Sequence, residues 1–414
     1  MATPVAWIWL IGAGVGHLCL VVLAVNVLHS LGWRSHWIES ATLAGLGLVG
    51  LASLGIAVWA LGVGPEGWGG PLGAYGALAG VVGWVGLPIV TVWRLCRRPP
   101  VGLRRVSVPL PMAGEPRSCY IGDGPGSRIL RLPGNQSLEP RLDELSVVVE
   151  RLPRGLDGLS IIHLTDLHLA PCYDRRFFEE VMDLAAGLEP DLVLVTGDIV
   201  EHDDAVSWIA PVLGRLRGRL GQYAIVGNHD FRHGEAAVRR GIAAAGYVDV
   251  DGLWHTIETP AGRIAVGGTS APWGPDLTRQ GMPKAGLRIV LSHSPDPFPR
   301  IARWNAVDLM LCGHNHGGQI RVPVLGSILV PSRYSRRFDQ GQFRRGRTLM
   351  HVGRGLGAKH PLRWNCPPEL TRIVLRSPVA MGSAGSVGSG HAAAAEPLWA
   401  GYGGRGLWPR TVFG

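Results

Sequence analysis

Residues 5–28 of this chain carry no formal charge, and at a rise of about 1.5 Å per residue a helix of that length crosses a hydrocarbon layer about 30 Å thick. Two similar stretches follow at 41–63 and 75–95, with a Gly/Pro-rich loop at 64–74 between them. The pattern predicts an all-α transmembrane region over residues 1–98 with three spans. Gly and Ala recur along the second and third stretches, as close helix contact in lipid requires. Trp7, Trp9, Trp33, Trp37, Trp59, Trp68, Trp84 and Trp93 fall mostly near segment ends, where indole rings anchor at the interface. A cleaved leader fits poorly, because residues 1–6 hold no basic side chain and the first apolar run is too long.

Basic residues then set an orientation. Arg34 follows the first stretch, the loop after the second holds only Glu66, and Arg94, Arg97, Arg98, Arg104 and Arg105 cluster at and just after the end of the third. The positive-inside rule predicts an N-terminus outside and everything beyond residue 95 on the cytoplasmic side. Lys and Arg together number 40 against 31 Asp and Glu, for a net charge of +9, and only Lys284 and Lys359 are lysines. Such an excess of guanidinium suits anionic headgroups or phosphates. No nucleic-acid-binding motif or aromatic stacking pattern accompanies it, and no protein partner is evident. Cys19, Cys96, Cys119, Cys172, Cys312 and Cys366 are scattered without paired spacing, which argues against a disulfide framework or a thiolate metal site.

Beyond the apolar region the texture changes twice. Residues 99–145, rich in Pro and Gly, read as a linker with local structure, a strand or hairpin around Cys119–Leu132, and 377–414 read as a low-complexity, disordered tail. Between them, short β-branched runs stop abruptly at polar residues: Leu159–Leu164, Asp191–Val195, Tyr223–Val226, Leu287–Leu291 and Val307–Cys312. Helical patterns fit at Arg175–Gly187, Ala205–Arg217 and Glu235–Ala245. The alternation predicts an α/β domain over 146–376 with its site beyond the carboxyl ends of the strands. Asp166, His168, Asp198, Asn228, His229, His293, His314 and His316 stand at those ends. Carboxylate, amide and imidazole donors suit a divalent cation such as Mn, Fe, Zn or Ni. Seven of them divide naturally over two such ions if one carboxylate bridges, and Asp198, after Gly197, is the best bridge.

The series Asp166-Leu-His168, Gly197-Asp198, Gly227-Asn228-His229-Asp230, His293 and Gly313-His314-Asn315-His316 resembles the calcineurin-like metallophosphoesterase family in order and rough spacing. The resemblance implies a metallophosphoesterase β-sandwich flanked by helices. It implies one metal on Asp166, His168, Asp198 and His316 and another on Asp198, Asn228, His293 and His314, with His229 protonating the leaving oxygen and Asp230 orienting it. The stretches from Leu152 to Asp166, Gly317-Gly318-Gln319, His351 to Gly357 and Pro361-Leu-Arg-Trp resemble the membrane-associated bacterial branch of that family. That branch includes transmembrane proteins with a metallophosphoesterase domain and enzymes that hydrolyse the pyrophosphate of UDP-2,3-diacylglucosamine in lipid A synthesis. By that resemblance the chain is a multi-pass inner-membrane hydrolase of a lipid-linked phosphoester. The alternatives are a phosphodiesterase for another lipid-linked or nucleotide substrate, or a catalytically silent metal-holding scaffold.

Arginine is the natural phosphate partner. Arg336, Arg337, Arg344, Arg345 and Arg347 could gather near the site as phosphate partners, with none singled out individually, and Arg354 and Arg363 are the substrate-binding candidates to mutate first. His163, His202, His233, His255, His351 and His360 are expected to be ordinary core or surface residues.

Overall fold

In the computed structural model, which describes residues 4–32, 40, 45 and 70–378, the first charge-free stretch is helix α1 (Pro4–His29). The third is α2 (Gly70–Val81), a π-helical turn over Val82–Gly86, and α3 (Leu87–Leu95). Pro88 accounts for the turn, since it has no N–H to bond the carbonyl one turn earlier. Trp7–His29 and Gly73–Leu95 are each long and apolar enough to cross a membrane, and they leave Ile8, Ile11, Leu18, Ile89, Val92 and Leu95 exposed. The expected second span, 41–63, lies outside the described residues apart from Gly45. Glycine brings the two helix backbones together: a methyl group at Gly16 would overlap the Ala79 carbonyl, and one at Gly83 the carbonyl of Gly12.

The chain divides into two units, Met1–Arg98 with Arg321–Asp339, and Pro99–Ile320 with Gln340–Gly414. In chain order the strands are β1 (Leu103–Pro109), β2 (Arg141–Val148), β3 (Ser160–Leu164), β4 (Leu192–Thr196), β5 (Gln222–Ile225), β6 (Val248–Asp249), β7 (Trp254–Thr259), β8 (Gly262–Thr269), β9 (Leu287–Ser292) and β10 (Leu309–Cys312). The paired β11 (Arg321–Val322) and β12 (Gly326–Ser327) belong to the first unit, and β13 (Gly341–Arg345), β14 (Thr348–Val352) and β15 (Glu369–Arg376) return to the second.

The second unit is a sandwich of two mixed sheets, ordered β1-β2-β15-β3-β4-β5-β6 and β13-β14-β10-β9-β8-β7. The strands β3, β4 and β5 are parallel, joined by α4 (Arg175–Ala186) and then by the helical turns Asp203–Trp208 and Ile209–Leu213. A further helix, α5 (Glu235–Ala244), leads to β6. Asp174 starts α4 by accepting the Arg176 N–H at 3.0 Å. Alternation along the strands divides the core in two. Ile161, Leu194 and Ile225 pack between the sheets with Ile264, Ile289 and Leu309, while Ile162, Val193 and Ala224 pack beneath Phe177, Phe178 and Val181 of α4.

Residues 99–145, expected as a linker, are built into this unit. Here β1 pairs antiparallel with β2, and β2 pairs parallel with β15, so both belong to the larger sheet. The Cys119–Leu132 region holds a 3-10 turn and a short helix, Ser127–Leu130, in place of a hairpin. Proline richness obscured β1 because that strand lies at the sheet edge, where a proline such as Pro109 costs no ladder bond. The 377–414 tail lies outside the described residues beyond Pro378.

Candidate metal centre

The carboxyl ends of β3, β4, β5, β9 and β10 each lead into one of the polar blocks. The backbone turns over sharply there. Asp166, His168, Asp198, His314 and His316 have φ of 49°, 43°, 52°, 69° and 48°, a left-handed region that costs a residue with a Cβ and persists where the surroundings enforce it. Two glycines let the loops close in. A methyl at Gly197 would meet the Gly227 N–H, and one at Gly313 would overlap Thr165 Oγ1 and Asp166 Oδ2.

The turns converge seven donor side chains on one cluster. Asp166, His168, Asp198 and His316 offer ligand atoms to one point, and Asp198, His293 and His314 to another. His168 Nε2 lies 3.1 Å from His316 Nε2 and 3.6 Å from Asp198 Oδ2. His316 Nε2 is 3.5 Å from Asp166 Oδ1. On the other side, His293 Nε2 is 3.3 Å from Asp198 Oδ2, 2.9 Å from Asn228 Oδ1 and 3.2 Å from His314 Nδ1. Asp198 Oδ2 is thus common to both groups. The remaining atoms are tied down from behind: Asp166 accepts the His314 N–H at 3.0 Å, Asp198 Oδ1 accepts the His229 N–H at 2.8 Å, and His293 Nδ1 donates to the Thr196 carbonyl at 2.9 Å. Fixing one ring nitrogen of His293 leaves the other free to act as a ligand.

The electrostatics match the burial. Burial holds the Asp166 carboxyl above its usual range although His293 opposes it. Burial works against Asp198 as well, but the imidazoles of His293 and His229 outweigh it and hold that carboxylate well below its usual range. Burial also opposes charge on His293, yet the neighbouring carboxylates raise its pKa to about 9. Imidazole nitrogens crowded onto fully buried carboxylates form a donor set that fits a divalent cation, whose charge would compensate the carboxylates directly.

Residue Glu201, which motif reading overlooked, is central to the arrangement. Its Oε2 lies 2.7 Å from His168 Nδ1 and 2.5 Å from His229 Nδ1. Burial opposes the Glu201 carboxylate, but hydrogen bonds from His168 and His229 outweigh it and depress its pKa. His229 Nε2 is left facing the cluster, 4.0 Å from Asp198 Oδ2. Burial pulls the His229 pKa below the ordinary imidazole value despite Asp198 and Glu201. The expectation that Asp230 orients His229 is corrected. Asp230 turns away and accepts the backbone N–H groups of Ile199, Val200 and Gly227 at 2.9, 3.0 and 2.8 Å, so it holds the loops together. The only signal for Glu201 was a carboxylate three positions beyond Asp198. Trp273, also overlooked, packs its ring 4.7 Å from that of His314 and 5.7 Å from that of His293.

The expectation for Arg354 and Arg363 is corrected too. Arg363 is completely buried and donates to the carbonyls of Arg354, Gly355, Gly357 and Cys366. Arg354, also buried, pairs with Glu369 at 3.1 Å and Asp143 at 3.3 Å. Both guanidinium groups are committed to the protein interior rather than to a substrate. Of the arginines not singled out individually, Arg336 and Arg337 belong to the first unit, and Arg347 pairs with Asp308 at 2.7 Å. Among the other histidines, His163 is buried against Thr196 and His351 against Thr371.

Comparison with known proteins agrees with this geometry. Residues 159–318 match the calcineurin-like phosphoesterase family. The chain is 30% identical over 253 residues to the uncharacterized metallophosphoesterase YkuE of Bacillus subtilis, covering 58% of this chain and 88% of that protein. It is 32% identical over 221 residues to the phosphodiesterase YaeI of Escherichia coli, covering 52% of this chain and 81% of YaeI. A transmembrane protein with metallophosphoesterase domain from Danio rerio is 26% identical over 269 residues, 58% of this chain and 59% of its own length.

Proposed function

Because the chain belongs to the calcineurin-like metallophosphoesterase family and is thereby a hydrolase of phosphoester bonds, we propose that it is a membrane-anchored phosphodiesterase with a two-metal centre. Asp166, His168, Asp198 and His316 would hold one divalent cation, and Asp198, Asn228, His293 and His314 the other. When bound, two such ions polarise a phosphoryl oxygen and supply a nucleophilic water. The observation that carries the reading is Asp198 Oδ2, shared between His168 and His293 at 3.6 and 3.3 Å.

The chain's own residues do the rest. His229 Nε2 faces the cluster and is the proton donor to the leaving oxygen. Glu201 stabilises the imidazolium that this donation requires, and it holds the His168 ring so that Nε2 points inward. Asp230 anchors the loops after β4 and β5 through backbone hydrogen bonds, keeping Asp198 and His229 in register.

The two apolar helices and the basic residues after the third stretch support a multi-pass anchor in the inner membrane with the catalytic domain on the cytoplasmic side. A membrane-anchored enzyme is suited to a lipid-linked substrate, and UDP-2,3-diacylglucosamine is the first to test. Purified protein supplied with Mn is expected to hydrolyse an aryl phosphodiester, and Asp198→Asn to abolish turnover. Wild-type protein that binds metal yet turns over no phosphoester would overturn the proposal. Accumulation of UDP-2,3-diacylglucosamine in cells depleted of the protein would support the narrower substrate, and an unchanged lipid A pathway would exclude it.

A further inference from the structure

The first unit contains a segment that lies far from its helices in sequence. Residues 321–339 begin shortly after His316 and return to the second unit at Gln340. Within the first unit this segment is fastened to both apolar helices. Asn26 of α1 donates to the Ile328 carbonyl at 3.2 Å and to Ser335 Oγ at 2.9 Å, and accepts the Val330 N–H at 2.8 Å. Arg94, in the last turn of α3, pairs with Asp339 at 2.8 Å and donates to the Arg336 carbonyl at 3.2 Å. Asp339 is buried and also receives Arg321 and Ser327, at 2.8 and 2.7 Å. An amide in an apolar helix is costly unless its hydrogen bonds are met, and here the segment meets them. The attachment is therefore specific.

What the segment turns outward is apolar. Val324 is 66% and Leu329 57% exposed, and Ile328 and Tyr334 are exposed as well. Arg321, Arg333, Arg336 and Arg337 accompany them, with Asp339 the segment's one acidic residue. Apolar side chains beside arginines, on a segment bolted to helices apolar enough to span a bilayer, match the composition of an interfacial element. We infer that residues 321–339 form a membrane-surface element whose Val324, Ile328, Leu329 and Tyr334 side chains enter the acyl boundary of an anionic bilayer. The inference rests on the reading that the apolar helices cross a bilayer.

The test uses the full chain in vesicles of phosphatidylcholine and phosphatidylglycerol. Val324→Cys, Leu329→Cys and, as a reference inside α1, Ile11→Cys each carry an environment-sensitive dye, in a background whose other accessible cysteines are serine. The expected result is blue-shifted emission at 324 and 329, quenching by nitroxide-bearing lipid, and severalfold less quenching by aqueous acrylamide than for the same dye on free cysteine. Lipid quenching at 11 with none at 324 and 329 overturns the inference while leaving the membrane anchor intact. Blue-shifted emission at 324 and 329 without lipid quenching assigns the surface to a protein contact and also overturns it. Absence of lipid quenching at all three positions overturns both readings.

Discussion

One carboxylate serving two imidazoles makes Glu201 the residue whose loss should be most informative. Glu201→Gln removes the negative charge while keeping the shape, so His168 loses the partner that fixes its ring and His229 loses support for its cation. Turnover should fall about 10–100-fold, the usual cost of removing a group behind a metal ligand. His229→Ala should cost about 10²–10⁴-fold in kcat with metal content unchanged, which steady-state kinetics and metal analysis together would check. His163 makes a prediction about stability. Burial holds its pKa well below the ordinary imidazole value, so the folded chain stays unprotonated there while the unfolded chain binds a proton below about pH 6.5. The unfolded state then holds more protons, and stability falls as pH drops below about 6.5, by up to about 1.4 kcal/mol per pH unit from this group until its folded pKa is reached. Denaturant titrations across that range should show a shallower pH slope for His163→Gln than for wild type.

At the level of elements, strand ends and helix contacts are built on different economies of space. Five site residues accept a left-handed backbone at the ends of β3, β4 and β10, and each such conformation costs about 1–3 kcal/mol that the surrounding sandwich must offset. Replacing Gly313 with Ala should disrupt the centre, since the added methyl would overlap Asp166 Oδ2. The expected readout is loss of metal binding with the far-ultraviolet circular dichroism of the domain retained. The helix pair relies on the absence of side chains. Gly16→Leu would drive a side chain into the Ala79 carbonyl, so α1 should separate from α2, measured as increased protease cleavage in the first unit while phosphodiesterase activity in detergent is maintained.

For the whole molecule, a cation that binds the folded cluster and not the unfolded chain must raise stability. Saturating Mn at about 100 times its Kd would add about 2.7 kcal/mol, and Asp198→Asn, which removes the atom common to both ligand groups, should cancel most of the increase in a thermal melt. Much of this organisation is legible in the residue order. Apolar runs without charge can only be lipid-facing or deeply buried helices, and β-branched runs cut off by Asp, Asn and His identify strands whose ends carry ligands, because those features depend on neighbours along the chain. Other assignments needed the third dimension. Asp230 adjoins His229 in sequence but points to the backbone of Ile199 and Val200, while Glu201 reaches His229 across two loops. Arg354 and Arg363 have the chemistry of phosphate partners, yet the fold encloses them among carboxylates and carbonyls. Residue order alone sets the inventory of donors, their placement at strand ends and the apolar helices. Which charges are buried, which carboxylate meets which imidazole and the attachment of residues 321–339 to α1 and α3 depend on the fold, since partners distant along the chain are chosen by packing and desolvation.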